Sequence, residues 1–568
     1  VQQAKLSDLD IAQQATLKPI AEIAAAAGIP EDYVEPYGRY KAKISLDINQ
    51  YLARRPEGKL VVVTSMTPTP FGEGKTVTSI GLAQGLACLG KRACLTLRQP
   101  SMGPVFGIKG GAAGGGWSQL LPMEELNLHF TGDNHAVAAA HNLLAAMVDA
   151  SIFHKNPLKL DPLTLSWRRV MDVNDRTLRE IIIGLGGRLN GHPRASGFDI
   201  TAASEVMAIL ALAGSLADLR ARLGRIVVGY NYQGRFVSAE ELGAAGAMCV
   251  LLKEALKPNL IQTIEGQPCF VHTGPFGNVA HGNSSVVADR IALKLADYVV
   301  TESGFAADCG FEKFADIKCR QSGLRPSCAV INCTIRALKM HGGKGPVVAG
   351  KPLPASLLEN DPGAVEKGLS NLAHMIRIVK LFGVPIVVSI NRFETDHAEE
   401  VALLREKAGE LGAFRVAESF AWAHGGRGCE ELAQAVADCC EEPSNFTLLY
   451  PDGLPIREKI ELLARHIYNA DGAELAPLVE RQIRLFEEQG WSNLPINMAK
   501  TSLSISHNPQ WKNLPSGYTF PVTDIRPSIG AGFLYPLAGD MMTMPGLPSR
   551  PAALDIDIDA TGKTVGLS

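Results

Sequence analysis

The sequence predicts an α/β protein built on a parallel, doubly wound sheet, and three observations carry that expectation. Short runs rich in Val and Ile recur at residues 59–65, 92–97, 225–230, 298–302, 328–332 and 384–391. Runs that stay apolar suit strands covered on both faces, because a half-exposed strand alternates instead. Helical patterns at 134–150, 204–216, 284–296 and 363–382 fall between them, and strand–helix alternation is the pattern of βαβ units. No repeat of fixed period interrupts the series, which sets aside solenoids and propellers.

The first strand is the most informative. Directly after Leu60-Val61-Val62-Val63 comes T-P-T-P-F-G-E-G-K-T at residues 67–76, followed by an alternating apolar and small-residue segment that runs to Gly90. A strand, a glycine-bearing loop and a helix start bring unpaired backbone amides together, and a Lys-Thr pair there suits a chain of phosphates. Lysine covers the outer phosphates and the threonine hydroxyl faces Mg²⁺. The ATP-binding candidates are therefore Thr69, Pro70, Phe71, Gly72, Glu73, Gly74, Lys75 and Thr76, with Thr76 the Mg²⁺ residue. The common pattern has glycine five positions before the Gly-Lys pair. Here Thr69 occupies it between Pro68 and Pro70, which stiffens the start of the loop. The sheet is accordingly expected to be of the P-loop NTPase type, with additional α/β domains.

At 568 residues, 46% of them hydrophobic, the chain has material for about three or four domains. The expected division is a nucleotide-binding domain over 1–150 completed by 371–440, a second α/β domain over 151–370, and a smaller C-terminal α+β domain over 441–568. His154-Lys155-Asn156-Pro157 and Asp161-Pro162 break helical patterning near the first boundary, since the residue before proline avoids the helical region. After about residue 440, amphipathic helices at 456–469 and 474–489 precede a Pro/Gly-rich tail with short strands.

Composition narrows the partners. With 55 basic and 58 acidic residues and a net charge of −3, there is no basic footprint for nucleic acid and no polybasic membrane tail. The first residues lack an apolar signal core, and no stretch of spanning length is free of charge or Gly/Pro breaks, so a cytoplasmic protein acting on small molecules is expected. Eleven cysteines show no C-x-x-C pair near histidines and are read as reduced, mostly buried thiols.

A second glycine cluster follows the strand at 92–97. It reads R-Q-P-S-M-G-P-V-F-G-I-K-G-G-A-A-G-G-G over 98–116, and N-L-H-F-T-G-D follows at 127–133. Arg98 is expected at the carboxyl end of a strand next to the phosphate strand, the edge where open α/β sheets bind ligands. A permanently charged planar guanidinium there suits a carboxylate or a transferring phosphoryl group.

Together these motifs resemble formate–tetrahydrofolate ligase, also called formyltetrahydrofolate synthetase. The resemblance extends to T-E-S-G-F-A-A-D-C-G-F-E-K-F at 301–314, V-V-S-I-N-R-F-E-T-D at 387–396, W-A-H-G-G-R-G at 422–428 and the closing I-D-I-D and G-L-S, and so spans essentially the whole chain. It implies a ligase of one-carbon metabolism that uses ATP, Mg²⁺, formate and tetrahydrofolate to give 10-formyltetrahydrofolate, ADP and phosphate through formyl phosphate. It further implies a homotetramer stimulated by a monovalent cation, K⁺ or NH4⁺. Similar segments also occur fused to dehydrogenase and cyclohydrolase domains; this chain is expected to be monofunctional. By motif position Lys75 and Arg98 are the catalytic residues, Arg98 holding formate and then formyl phosphate. Phe393 and Trp422 take the folate-stacking positions, with Phe305 as a third aromatic.

Asn391 leaves the strand at 384–391 at its carboxyl end, suited to a nucleotide base or to substrate. Asp133 and Asp308 are open between Mg²⁺ waters, a folate nitrogen proton and helix capping. His129, His272 and His281 lack helical metal-pair spacing and are read as loop residues. The rivals are a P-loop ligase that activates a different carboxylate and a nucleotide-switched regulator or metal chaperone. The regulator would add a second lysine or metal-ligand cysteines near the loop, and neither is present.

Overall fold

The structure, a computed structural model, describes residues 6–107, 113–345, 347–348, 352–539 and 541–567. Residues 108–112 of the second glycine cluster and the final Ser568 lie outside the described residues.

A mixed sheet of twelve strands organises the chain. Its strands are β1 (Val34–Pro36), β2 (Ala42–Ile44), β3 (Lys59–Ser65), β4 (Ala93–Leu97), β5 (Gly114–Gly115) and β6 (Ser118–Leu121), then β7 (Asn259–Thr263), β8 (Pro268–Val271), β9 (Tyr298–Glu302), β10 (Cys328–Cys333), β11 (Ile386–Asn391) and β12 (Arg415–Ser419). The spatial order is β1-β2-β7-β8-β4-β9-β3-β10-β11-β12, with β6 pairing β7 and β5. Every pair from β8 to β12 is parallel. The other edge, β1, β2, β7 and the β5–β6 hairpin, is antiparallel. The expected parallel sheet is thus mixed. Short links join β1 to β2, β5 to β6 and β7 to β8, too short for the crossover helix a parallel neighbour needs, whereas β2 and β6 pair β7 across long stretches of chain.

The continuous apolar runs have the predicted cause. In β3, Leu60 and Val62 enter one hydrophobic cluster while Val61 and Val63 enter the other. β10 divides the same way, Ala329 and Ile331 against Cys328 and Val330. Both faces are therefore packed, and alternation in sequence disappears because neither face meets water.

Helices α1 (Lys75–Cys88), α2 (Asp133–Phe153), α3 (Val286–Leu295), α4 (Pro362–Leu381) and α5 (Glu430–Cys439) cover these faces. Side chains cap several of them. Ser285 accepts from Ala288 N at the start of α3, and Asp361 accepts from Ala364 N before Pro362 of α4, each satisfying an amide the helix cannot. The pattern at 204–216 resolves into a shorter helix, Glu205–Leu212, and a second one, Leu216–Arg225, because Ser204 and Ser215 each cap a separate start.

Three further points bear on the sequence reading. The expected strand at 225–230 is Val227–Tyr230 and pairs only with Phe236–Ser238, outside the large sheet. Strands over 259–333, assigned from the sequence to a unit at 151–370, lie in the same sheet as β3. Helix α2 is long and apolar enough to cross a bilayer, but Asp133 and Asp149 interrupt it with charge, as the sequence reading required. Its residues Val137, Leu144 and Val148 are buried in the main core.

The C-terminal segment carries helix Ile456–Leu462, continued by a π-helical turn at Leu463–Ile467, helix Pro477–Glu488, and short strands such as Asp524–Ser528 and Phe533–Leu537. It shares the main core: Phe486 and Trp491 pack on Phe236 with ring centroids 6.2 and 4.6 Å away. All eleven cysteines are unpaired and nine are buried, with Cys88 exposed and Cys249 part-buried.

Candidate active site

The carboxyl ends of β9, β3, β10 and β11 lie side by side, and the loop after β3 crosses them to enter α1. Gly74, at φ +70° and ψ +30°, is the residue before α1. A left-handed residue followed by a helical one turns successive amides toward one point, an anion-binding concavity at the positive end of the helix. Lys75 and Thr76 open α1. Phe71 is exposed, Pro70 is half-buried, and Gly72 sits at φ +79°.

The stiffness expected from Pro68 and Pro70 is reinforced from inside. Thr67 is held at its amide and its hydroxyl by the Asn371 side chain, at 3.0 and 2.9 Å, and at its carbonyl by His341 Nε2 at 2.9 Å. Thr69 N donates to Glu73 Oε1 at 2.6 Å, and the Thr334 hydroxyl donates to Glu73 Oε2. Glu73 is buried, which pushes its carboxyl above the usual range despite those bonds. Its side chain therefore turns away from the ligand side and latches the loop. Asn332 and Asn391, at the ends of β10 and β11, both donate to the Glu73 carbonyl.

Arg98 follows β4, but β4 is not the neighbour of β3: β9 lies between them. This corrects the expected adjacency, because strand order is set by long-range pairing that a local pattern does not encode. The intervening strand ends in Glu302, a residue the sequence reading passed over. Glu302 is buried; its Oε2 accepts the Thr76 hydroxyl at 2.9 Å and its Oε1 lies 3.9 Å from an Arg98 terminal nitrogen. It thus links the start of α1 to Arg98. A charged residue closing the apolar run Y-V-V-T-E was the available signal.

Arg98 also donates to the Pro275 carbonyl at 3.2 Å. Around it, several buried polar atoms have no partner among the described residues: Arg98 Nε, both amide atoms of Gln99, Thr273 Oγ1 and both ring nitrogens of His281. Burial, with Lys318 and Arg98 nearby, holds the His281 imidazole well below its usual range, so it is neutral. Unsatisfied buried groups are rare in proteins, and these six atoms are among those found in the described residues, clustered beside Arg98.

The three aromatics leave the carboxyl edge from different strands. Phe305, at φ +62°, gives its carbonyl to Ser65 Oγ at 3.0 Å and lays its ring beside Gly277. Phe393 follows β11, with the Arg336 guanidinium 3.7 Å over one ring face. Trp422 follows β12, is 37% exposed and donates its indole N–H to Asp8 Oδ1 at 3.1 Å. β9 and β11 are three places apart in the sheet, or about 14 Å at the usual strand spacing. Phe393 and Trp422 leave adjacent strands, whereas Phe305 leaves β9, on the other side of β3.

Two further candidates have structural partners. Asp133 is the first residue of α2, bound to Lys43 Nζ at 2.8 Å and Asn259 Nδ2 at 2.7 Å. Asp308 pairs with Lys500 at 2.7 Å. His272 is bonded through both ring nitrogens, to Ser285 Oγ and the Ala255 carbonyl, each at 2.6 Å, and burial lowers it to about 4. His129 is exposed. Among the described residues no three His, Cys, Asp or Glu side chains converge as a metal centre. Thr76 and Glu302 supply a hydroxyl and a carboxylate, the hard oxygens a magnesium ion takes when substrate phosphates and water complete its shell.

Comparison with known proteins gives the family. A family model described as formate–tetrahydrofolate ligase matches residues 6–568. The chain is 64% identical over 561 residues to the formate–tetrahydrofolate ligase of Desulforamulus reducens, covering 99% of each chain. It is 60% identical over 563 residues to that of a Roseiflexus species, covering 99% of this chain and all of the relative. Against that of Cutibacterium acnes it is 54% identical over 561 residues, with coverage of 99% and 100%.

Proposed function

The chain belongs to the formate–tetrahydrofolate ligase family, and from that premise we propose how its carboxyl-edge residues divide the work of joining formate to tetrahydrofolate. The enzyme is an ATP-dependent ligase, and the reading of a ligase for another carboxylate or a nucleotide-switched regulator gives way to it.

Formate is a poor electrophile because its carbon bears a delocalised anion. In the proposed sequence a formate oxygen attacks the γ-phosphorus of ATP, the bond to the bridging oxygen breaks, and ADP leaves. The product is formyl phosphate. The N10 nitrogen of tetrahydrofolate then attacks the formyl carbon, phosphate departs with the oxygen that came from formate, and the nitrogen loses its proton. Two anions must meet in the first step, so catalysis consists of positioning and charge neutralisation.

The observation that supports this assignment is the convergence of α1's first turn, Glu302 and Arg98. Residues Thr69 to Thr76 cradle the triphosphate, Lys75 covers its outer phosphates, and Arg98 holds formate and then formyl phosphate. Thr76 and Glu302 hold Mg²⁺, which when bound neutralises phosphate charge. A sheet of P-loop NTPase type is the finer fold reading, supported by the strand–loop–helix at 59–88. Phe393 and Trp422 supply flat apolar faces for the pterin, and Phe305 lines the far side. The homotetramer and K⁺ or NH4⁺ stimulation are what the family resemblance implies, and a cytoplasmic location is the reading of the sequence. A chain divided near residues 150 and 440 rests on the helix breaks near 154–162 and the change of texture after 440, and the continuity of the sheet through 259–333 favours placing all of those strands with the nucleotide-binding unit.

Isotope transfer tests the sequence of steps. With ¹⁸O-labelled formate, the released phosphate should carry one labelled oxygen. Phosphate free of label would reject the acyl phosphate.

A further inference from the structure

The Glu73–Gly74 peptide is gripped in an unusual way. Asn391 Nδ2 donates to the Glu73 carbonyl at 3.1 Å, and Asn332 Nδ2 donates to the same oxygen. Both asparagines are buried, and they stand at the carboxyl ends of adjacent parallel strands, β10 and β11. Asn332 is itself oriented by the Thr78 hydroxyl, which donates to its Oδ1 at 3.1 Å from within α1. The fit leaves no slack: a Cβ on Gly74 would lie 2.6 Å from Asn391 Nδ2.

A trans peptide is planar, with its C=O and N–H on opposite sides. Fixing the Glu73 carbonyl against the two amides therefore aims the Gly74 N–H the other way, toward the opening of the loop. Glycine at φ +70° is the residue that tolerates either orientation of the preceding peptide. Without an external grip this peptide could flip and point a carbonyl, rather than a donor, at an anion.

We propose that Asn332 and Asn391 are paired positioning residues that lock the Glu73–Gly74 peptide in the orientation presenting the Gly74, Lys75 and Thr76 amides to the nucleotide's phosphates. This rests on the reading that loop 67–76 holds those phosphates. It assigns Asn391 to phosphate-loop geometry, since its amide nitrogen is engaged by the Glu73 carbonyl.

The test measures binding of ATP, GTP and inorganic tripolyphosphate by titration calorimetry to the parent enzyme, Asn391→Ser and Asn332→Ser, with melting temperature and tetrahydrofolate affinity in parallel. Loss of one such hydrogen bond should weaken all three phosphate ligands by the same factor, about three- to tenfold, with tetrahydrofolate affinity and melting temperature unchanged. Three results would overturn the inference: a fall in ATP affinity relative to GTP with tripolyphosphate unaffected, which would make Asn391 a base reader; unchanged affinity for all three; or a lower melting temperature with unchanged affinities. If Asn332→Ser fails to fold because the Thr78 bond is lost with it, Asn391→Ser alone decides among these. Failure of the underlying reading looks different: tripolyphosphate would not bind the parent, and Lys75→Ala would leave ATP affinity intact.

Discussion

Lys318, Lys339, Lys459 and Lys500 lie inside the molecule at 1% exposure or less, and each has oxygen partners close by. Lys318 meets Asp289 at 2.6 Å, Lys339 meets Glu400 at 2.6 Å, Lys500 meets Asp308 at 2.7 Å, and Lys459 donates to three backbone carbonyls. Arg98, at the carboxyl edge, is treated differently. A quarter of its side chain is exposed, and its closest carboxylate is 3.9 Å away. In the scaffold a buried charge is matched on the spot, because leaving it unmatched costs several kcal/mol. At the edge, part of the donor capacity is left for a ligand. The difference is what would separate a cation that builds the fold from one proposed to serve the reaction.

Substitutions can test whether these two regions are as separable as their geometry suggests. The largest effect is expected at Lys318→Met, which leaves Asp289 buried and unpaired and should lower stability by about 3–5 kcal/mol. Turnover per folded molecule should hold; a loss of turnover at full stability would move Lys318 into the site. Arg98→Ala should do the reverse, reducing turnover by about two to three orders of magnitude with the melting temperature little changed. Activity within about threefold of the parent would remove Arg98 from the reaction.

A pH effect is expected on the scaffold side. Glu205 accepts from Gly530 N at 2.7 Å and Ala531 N at 3.3 Å, tying helix Glu205–Leu212 to the C-terminal segment, and burial raises its carboxyl from 4.5 to about 7. The folded protein thus keeps a proton that the unfolded chain releases first. Its stabilising contribution is full below about pH 4.5 and is lost as pH rises through about 7. Melting temperature should therefore fall between pH 5 and pH 8 by an amount that Glu205→Gln removes; an equal fall in the variant would assign the effect elsewhere. The smallest effect is expected at Trp422→Phe, with tetrahydrofolate binding weakened about two- to tenfold. Unchanged affinity, with no change in tryptophan emission on titration of the parent with tetrahydrofolate, would remove Trp422 from the pterin site.

Local chemistry was readable from the sequence, and long-range pairing was not. The strand–loop–helix at 59–88, the start of α1 and the two-sided burial of β3 follow from neighbouring residues, since glycines, a Lys-Thr pair and an unbroken Val run each have a local meaning. Glu302 was legible in principle as the acid that ends β9, but its value comes from β9 lying between β3 and β4, a neighbour relation fixed by strand order. Asn332 and Asn391 are distant in sequence and meet on one carbonyl only because their strands are adjacent. The Trp422–Asp8 bond joins residues 414 positions apart. The local runs at 225–230 and 298–302 look alike, yet only the second reaches the large sheet, because the choice is made by what each strand finds to pair with.

The most direct measurement is a crystal structure of the enzyme with a non-hydrolysable ATP analogue and formate. The triphosphate is expected along the amides of Gly74, Lys75 and Thr76, with formate against Arg98 on the side of the terminal phosphate. A nucleotide bound away from the first turn of α1, or formate seated away from Arg98, would contradict the account.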